Sequence, residues 1–424
     1  MNATESPRRT WLLVIYVACA WTHITHAQPL RPIASNDELQ RMQAYLNERN
    51  DPRIIEASID LGNSEFVDCI TATRQHGFDH PIVLEKPPEG LFNAVDKPTF
   101  DGPAEPAKQA YGSVTRTCPP NTIPRKHLTI EELSQFASLK EFHDKVGGRG
   151  RQFAPMVNGH RDYVVAMQNI TATAANSILS INKPVDEHSE EFSLSQIWVS
   201  SAYGLANQET IEVGWQVARW RHNGSRDPYM FVYWSTDNYG NGCYDQDCPG
   251  FNMFPGAPYV PGVAFSNWST VGGTQVYVSF QVHRTSTAWW IGVNGGGAIG
   301  YYLVSKFRTP GLASNFERMD FGGEVQPGMD YPTGTPPFRH SKIDMGSGMF
   351  SSGGWGQAAF HTAIRFGNVN ASGTSISWNW AHLTQPPNSP TLPGCYDFTF
   401  ADPPTNSAFY FGGGGYNGVT CILP

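Results

Sequence analysis

The sequence lacks the features of a nucleic-acid-binding or metal-binding protein. Its formal net charge is −8, and it has no basic cluster to contact a phosphate backbone. It has no C-x-x-C pair and its histidines are scattered, which argues against a zinc site. The serine-hydrolase motif G-x-S-x-G is also missing, because the nearest stretch, "MGSGMF" around Ser347, has the wrong spacing. We therefore expect no cofactor, no metal and no nucleic-acid partner.

Long apolar runs are also missing beyond the N-terminus. There, Arg8 and Arg9 precede the apolar stretch "TWLLVIYVACAW", and the small residues Thr25 and Ala27 follow it. This order is typical of a secretory signal, and the run is short for a membrane anchor. We expect a signal peptide over residues 1–27 and a secreted protein, extracellular or in the cell wall, with no membrane association after cleavage.

Cysteine and sequon patterns fit secretion. Of seven cysteines, Cys19 lies in the predicted signal, which leaves an even set of six. Six cysteines allow 15 pairings. Pairing of neighbours along the chain would give Cys69–Cys118, Cys243–Cys248 and Cys395–Cys421. Four N-x-S/T sequons predict glycosylation at Asn169, Asn223, Asn267 and Asn370.

The rest of the chain divides into two regions with different patterns. Residues 28–150 contain two helical patterns, "SNDELQRMQAYLNERN" and "TIEELSQFASLKEF", each opening with a possible capping box. Proline-punctuated stretches between them indicate loops. The following "KVGGRGRQF" is typical of an exposed linker that processing proteases attack.

Residues 151–424 have a β pattern. From about Tyr163, short runs rich in Val, Ile, Tyr, Trp and Phe are separated by turn signals. This pattern predicts an all-β fold, an antiparallel β-sandwich preceded by a small mixed α/β segment. One face of each strand would lie in the core, and the other would be wet or line a cleft.

Two strands carry a glutamate beside glycine. In "TIEVGWQV", alternation places Glu212, Gly214 and Gln216 on one face and Trp215 on the opposite, core face. In "FERMDFGGEV", Asp320, Gly322 and Glu324 share a face, and the glycines let another chain approach the backbone closely. Taken alone, charged residues on solvated strand faces explain both patterns.

Two further motifs have structural explanations. "GGGAIG" at residues 295–300 matches a dinucleotide-binding pattern but runs into another strand, which favours a tight turn. "HGFDHP" places His76 and His80 around Asp79, and a turn before Pro81 explains it without a metal.

The chain resembles the neprosin family, plant secreted proteins whose founding member is a proline-directed endopeptidase. "VDCITATRQHGFDHP" and "CPPNTIP" resemble the activation peptide of that family. "EFSLSQIWV", "ETIEVGWQV", "GCYDQDCPGF", "WWIGV", "FGGEV", "MGSGMF" and "GCYDFTF" follow the order of its catalytic domain.

The resemblance implies a β-sandwich glutamic peptidase made as a zymogen, with an activation peptide over 28–150 and a catalytic domain over 151–424. It implies catalytic roles for Glu212 and Glu324, with Asp320 as runner-up for the second position. It also implies cleavage after proline, so the expected partners are a proline-rich peptide or protein substrate and the chain's own prosegment.

Two carboxyl groups in one site can hydrolyse a peptide bond without a metal. Because they cannot both ionise easily, one remains a base for water and the other holds a proton, which suits acid pH. Gln216 is a candidate for hydrogen bonding to the oxyanion or substrate, and a plain structural role is the alternative. Aromatic residues could form a proline-accepting pocket. The candidates are Trp198, Trp215, Trp234, Tyr239, Trp289 and Trp290.

Two other functions stay open at this stage. One is a non-catalytic relative that binds cell-wall or proline-rich glycoprotein, and the other is a carbohydrate-binding sandwich. Two glutamates within bridging distance of one water would favour the enzyme. A flat aromatic platform with the glutamates apart would favour a binder.

Overall fold

The computed structural model describes residues 34–92, 98, 100, 102–114, 116–145, 161–187, 191–326, 342–416 and 421. The predicted signal peptide and residues 146–160, which include most of the predicted linker, lie outside this part of the chain. We call residues 34–145 the N-terminal region and residues 161–421 the C-terminal region. Residues Pro32–Pro424 form one compact unit.

The α-helices of the described residues lie in the N-terminal region. They are α1 (Asn36–Arg49), α2 (Ala110–Ser113), α3 (Ile130–Leu133) and α4 (Leu139–His143). Ser35 caps α1 by accepting a hydrogen bond from the Glu38 backbone N–H, and Thr129 and Glu132 form the predicted capping box of α3. The second helical pattern predicts one continuous helix, which is wrong. The chain leaves the helix after Leu133 and starts again at α4, where Ser138 caps the new N-terminus.

Four strands lie in the N-terminal region: β1 (Ile55–Gly62), β2 (Glu65–Thr71), β3 (Ala104–Pro106) and β4 (Thr122–Lys126). Strands β1, β2 and β4 form a three-stranded sheet in that order. The sequence indicated loops at "VDCI" and "NTIP", and the structure corrects this. Pro124 lies within β4, at the edge of the sheet, where its missing N–H is tolerated.

Fifteen strands are described in the C-terminal region. They are β5 (Asp162–Ala172), β6 (Ala174–Ser180), β7 (Phe192–Ser201), β8 (Glu209–Ala218), β9 (Tyr229–Thr236), β10 (Asn241–Tyr244), β11 (Phe251–Met253), β12 (Gln275–Arg284), β13 (Ala288–Val293), β14 (Ala298–Leu303), β15 (Phe316–Gln326), β16 (Ala359–Val369), β17 (Ile376–Trp380), β18 (Asp397–Phe400) and β19 (Phe409–Gly412). The predicted antiparallel sandwich is confirmed.

Two sheets form the sandwich. The smaller has six strands in the order β10-β9-β8-β7-β15-β5. The larger contains β11-β14-β13-β12-β6-β16-β19-β18, with β17 added to β16 and β3 of the N-terminal region added to β12 in parallel. The main core lies between the sheets, where Trp215 and Val213 of β8 share a cluster with Phe280 of β12. Burial of each such side chain contributes about 1.5–3 kcal/mol.

The second face of the six-stranded sheet is covered by the N-terminal region. A separate apolar cluster joins Met42 of α1 and Phe142 of α4 to Leu194, Phe231 and Tyr233 of the sheet. As a result β8 is buried along its whole length, on both faces. The face expected to be wet or to line a cleft is therefore a cleft face, closed by the N-terminal region.

The three disulfides follow the neighbour pairing. Bonds join Cys69 to Cys118, Cys243 to Cys248 and Cys395 to Cys421. The first lies within the N-terminal region and the other two within the C-terminal region, so no described disulfide links one region to the other. In the described residues, no helix is long and apolar enough to cross a membrane.

Candidate active site

The two predicted glutamates project from the covered face of the six-stranded sheet. Glu212 on β8 lies opposite Trp198 of β7, and Glu324 on β15 lies opposite Leu194 of the same strand. Strand β7 therefore separates the two glutamates. Their partners on β7, Trp198 and Leu194, are four residues apart, and Gln196 lies midway between them. The side chains of Glu212 and Glu324 are 0% and 1% exposed.

Lys145 joins the two carboxylates. Its Nζ lies 2.5 Å from Glu212 Oε2 and 3.1 Å from Glu324 Oε2. The same ammonium donates to Gln196 Oε1 at 3.2 Å. A single nitrogen thus occupies a position within hydrogen-bond reach of both glutamates, a separation that suits one bridging water.

The location of Lys145 overturns part of the sequence interpretation. It opens the "KVGGRGRQF" stretch that predicts an exposed linker, yet its side chain is 1% exposed. Helix α4 holds it there: the Leu139 N–H donates to Glu38 of α1, and the Lys145 N–H donates to the Tyr233 hydroxyl at 3.2 Å. Local sequence gave no signal for this, because the partners of Lys145 come from distant strands.

Glu324 also has a cationic partner in the C-terminal region. Arg161 Nη1 donates to Glu324 Oε1, and Arg161 Nη2 donates to the Lys145 carbonyl at 2.9 Å. The Tyr163 hydroxyl lies 3.3 Å from the same Oε1. Burial tends to raise the pKa of Glu324, but the charges of Lys145 and Arg161 outweigh it and lower the pKa below its ordinary value of 4.5.

Glu212 has uncharged neighbours apart from Lys145. In the described chain it accepts hydrogen bonds from Tyr239 at 2.8 Å, Gln196 Nε2 at 3.0 Å and Thr210 at 3.1 Å. Burial and the nearby Glu212 charge raise the pKa of Tyr239 well above 10, so this hydroxyl stays a donor. The two glutamates therefore differ in the charge of the partners that the C-terminal region supplies.

Gln196 was missed by the sequence interpretation although a signal existed. In "SLSQIWV" alternation puts Gln196 on the same face as Trp198. Its amide contacts both Glu212 and Lys145, which places it nearer the dyad than Gln216. Gln216 accepts from the Tyr244 hydroxyl at 3.2 Å, and its own NH₂ group has no hydrogen-bond partner in the described residues.

Asp320 is on the predicted face but its contacts are with a different partner. Its two oxygens accept hydrogen bonds of 2.8 and 2.6 Å from Arg318. Burial raises the pKa of Asp320 above its ordinary value, and the Arg318 guanidinium offsets only part of this effect. Asp320 lies opposite Trp198 of β7, and Glu212 lies opposite the same residue on the other side. Lys145 nevertheless joins Glu212 to Glu324 and not to Asp320.

Gly322 explains the paired glycines of β15. Its φ is +145°, and a Cβ there would lie 2.0 Å from the Val164 carbonyl oxygen of β5. The chain that approaches the glycine backbone is thus a neighbouring strand. Gly323 faces the other way, toward Met345 and Phe411.

The predicted aromatic residues divide between the cleft and the cores. A cavity of about 510 Å³ adjoins the dyad and includes Trp198, Tyr239, Tyr163 and Tyr203 in its wall. Trp215, predicted as core, is fully buried and donates to the Ser180 carbonyl. Trp289 and Trp290 are buried on β13, and Trp234 lies beneath the Lys306 ammonium.

The remaining motifs are structural where the structure describes them. "GGGAIG" forms the turn between β13 and β14, with positive φ at Gly295 and Gly297. Among described residues, His, Cys, Asp and Glu form no cluster that could hold a metal. Of the sequon asparagines, Asn169, Asn223 and Asn370 are exposed. Asn267 donates to Glu105 and Pro106 of the N-terminal region. Glycosylation at all four stays a prediction.

Comparison with known proteins assigns the family. The Neprosin family model matches residues 189–414, more than half of the chain. The chain belongs to the neprosin family. The resemblance seen in the sequence is thereby confirmed, and membership of this family points to a peptidase.

The search of solved structures also gave matches to this chain. A scytalido-glutamic peptidase with a transition-state analogue inhibitor has a TM-score of 0.32 and 8% identity, covering 59% of this neprosin-family chain and 98% of its own. SCP-B, a member of the eqolisin family of peptidases in complex with a tripeptide, has a TM-score of 0.28 and 8% identity, with 60% and 98% coverage. The apo Crh5 transglycosylase has a TM-score of 0.22 and 13% identity, with 41% and 60% coverage. At these TM-scores the family assignment rests on the family model.

Proposed function

We propose that this chain is a secreted glutamic endopeptidase, made as a zymogen, that hydrolyses peptide bonds after proline at acid pH. The observation that carries the proposal is the shared position of Lys145 Nζ, within 3.1 Å of both glutamates. A water at that position would bridge the two carboxyl groups. The same observation disfavours a binding protein, for which the glutamates would lie apart on an aromatic platform.

The partners of each glutamate suggest how the roles divide. Without Lys145, Glu324 keeps the charge of Arg161, whereas Glu212 keeps hydroxyl and amide partners. A nearby cation favours the ionised form of a carboxyl group. Glu324 is therefore the general base, and the proton that the pair shares rests on Glu212.

Hydrolysis then proceeds with both groups acting in turn. Glu324 takes a proton from the water while the water oxygen attacks the substrate carbonyl carbon. Glu212 donates a hydrogen bond to the carbonyl oxygen. The Gln196 amide, next to Glu212, is placed to stabilise the developing oxyanion. The protonated Glu324 gives its proton to the leaving nitrogen as the C–N bond breaks.

Cleavage after proline is supported by the cavity beside the dyad. The Trp198 and Tyr239 rings border both the dyad and this cavity, and a pyrrolidine ring packs well on a flat aromatic face. Proline-rich polypeptides are thus the proposed substrates.

The N-terminal region would act as the prosegment and keep the precursor inactive. Lys145 occupies the position of the water, and α1 and α4 cover the sheet face around it. Acid would weaken this closure. The ion pairs of Glu324 stabilise it fully above the ordinary glutamate pKa of 4.5, and that stabilisation is lost as the pH falls through the lowered pKa of Glu324.

Digestion of a proline-rich peptide library by the full-length secreted chain at acid pH tests the function. Wild type is compared by mass spectrometry with Glu212→Gln and Glu324→Gln, which keep the side-chain shape but not the acid–base chemistry. We expect cuts after proline, and a loss of rate on the order of 10³-fold or more in each variant.

Asp320→Asn is the matched comparison. This carboxyl is on the same face and lines the cavity beside the dyad, but it pairs with Arg318 and not with Lys145. Its rate should stay within about tenfold of wild type, as expected for a residue outside the chemistry. A chain that folds, loses its prosegment and cuts nothing would refute the peptidase and favour the binding protein.

A further inference from the structure

Helix α4 packs an aromatic side chain against the cleft on the side of Gln216. Phe142, three residues before Lys145, is 2% exposed and belongs to the cluster that covers the sheet face. Its ring stacks under the Arg221 guanidinium, with Arg221 Cζ 4.8 Å from the ring centroid. Arg221 Nη1 also donates to the Phe142 carbonyl at 2.8 Å. The C-terminal region thus binds both the side chain and the backbone of this residue.

The surface beneath Phe142 and its neighbour Phe136 is aromatic. Tyr244 packs edge-on against Phe231 and Tyr233, at 5.7 and 4.8 Å between ring centroids. Trp220, 5% exposed, lies edge-on to Phe136 of the N-terminal region. Removal of the N-terminal region would leave these rings facing an open cleft, so the surface would lose its present apolar partner.

Two hydrogen-bond donors in this surface lack partners. Trp220 Nε1 and Gln216 Nε2 are buried and make no hydrogen bond within the described residues. Burying such donors unpaired is unfavourable, so a partner is expected in some other state of the molecule. Peptide carbonyl groups are acceptors that a bound substrate brings to a cleft.

The distance to the dyad suits a neighbouring residue of the same substrate. Gln216 lies two residues beyond Gly214, which stands opposite Gln196 between the glutamates. Each strand residue adds ~3.3 Å, so Gln216 is roughly 7 Å and Ala218, the last residue of β8, roughly 13 Å along the strand from the centre of the dyad. Trp220 follows in the turn after β8. An extended peptide covers that range with about two to six residues.

We propose that the surface under Phe136 and Phe142, formed by Trp220, Arg221, Phe231 and Tyr244 with the Gln216 amide, is a substrate subsite for an aromatic or large aliphatic side chain. This subsite rests on the proposed peptidase function and extends it. Phe136 and Phe142 fill it in the precursor, and a substrate side chain two to six residues from the scissile bond fills it in the mature enzyme. Proline beside the scissile bond and an apolar residue farther along then define the substrate together.

The test uses full-length chain matured in acid or, where acid fails, cut by trypsin at Arg149 or Arg151 and then separated from the N-terminal fragment. Proline peptides carry Phe, Leu or Ser at one position, two to six residues to either side of the expected cut. At one such position we expect Phe and Leu to exceed Ser about tenfold in kcat/KM, a ratio usual for an apolar pocket. Equal values at every position would overturn the subsite.

Two substitutions of one residue separate the apolar surface from the donor. Trp220→Ala should reduce the Phe-to-Ser ratio to about one. Trp220→Phe keeps an apolar ring without an N–H, so it should keep the ratio and lower kcat/KM for both peptides alike. The ratio is measured on one preparation, which makes it independent of the folded fraction. A ratio unchanged in Trp220→Ala would contradict the proposal.

A binding measurement covers the case in which nothing is cleaved. A synthetic peptide of residues 134–145 is titrated into the matured protein and compared with its Phe142→Ser form. About tenfold tighter binding of the Phe form supports the subsite even if the peptidase function fails. Equal affinity of the two peptides counts against the subsite, whatever the activity.

Discussion

The surroundings of Glu212 and Glu324 differ although the two residues share a sheet face and a lysine. Glu324 lies beside Arg161, which belongs to the C-terminal region, while Glu212 lies among Tyr239, Gln196 and Thr210. Two identical side chains thus have neighbours of different charge. In the proposed mechanism, the roles of the two carboxyl groups would be set by the partners that remain once Lys145 leaves.

Lys145→Met should have the largest effect on activation, because it removes the cation that pairs with both glutamates. Loss of one partner from a buried ion pair costs about 3–5 kcal/mol, since it leaves an uncompensated charge. We expect the N-terminal region to dissociate on the order of 10² to 10³ times more readily, so the precursor should be activated at a higher pH than wild type. The measurement is peptide cleavage after brief exposure to a series of pH values.

Lys140→Met is the matched control for that variant. Lys140 lies on the same helix and pairs with Asp144, but its side chain is 67% exposed. Exposed pairs contribute about 0–1 kcal/mol, so the pH of activation should stay that of wild type. If both variants activate alike, Lys145 does not hold the precursor closed.

Arg161→Gln tests the asymmetry of the dyad directly. Arg161 lowers the pKa of Glu324, so its removal should raise that pKa and leave less of the base ionised in acid. The acidic limb of kcat/KM against pH should move to higher pH, with a loss of about 10- to 100-fold at the wild-type optimum. Arg161→Lys keeps the charge, so its acidic limb should lie close to the pH of the wild-type limb. An unmoved limb would assign the base role to Glu212.

Removal of the hydroxyl groups of the two tyrosines beside the dyad should have the smallest effect on kcat/KM. Tyr239 donates to Glu212 at 2.8 Å, and Tyr163 lies at a longer 3.3 Å from Glu324. A neutral hydrogen bond contributes about 0.5–1.5 kcal/mol. Tyr239→Phe should therefore reduce kcat/KM by about 3- to 10-fold and Tyr163→Phe by less. Thermal melts of both variants would show whether a smaller folded fraction explains the loss, and a larger effect at Tyr163 would contradict this order.

Strand alternation predicted the sandwich and the face of its own strand on which each glutamate lies, because the period of two is a local property. Alternation alone could not show that the two strands bring these faces together. The closure of that face could not be predicted in the same way. Lys145 sits in a glycine- and arginine-rich stretch, and its burial depends on strands that begin dozens of residues later. Strand β6 is hard to predict for a related reason. Its sequence "AANSILS" has few β-branched or aromatic residues, and burial between β12 and β16 outweighs its weak strand propensity.

The position of Lys145 in the chain has a kinetic consequence for the proposed activation. The lysine is the first residue of the predicted linker, so a cut within "GGRGR" would leave it attached to α4 and still between the glutamates. Cleavage and onset of activity would then be separate events, because the cut fragment must also dissociate. The fraction of a severed fragment that stays bound depends on the protein concentration, whereas binding of a covalently attached segment does not. A concentrated secretion of the nicked protein would stay inactive and would begin to digest its surroundings on dilution.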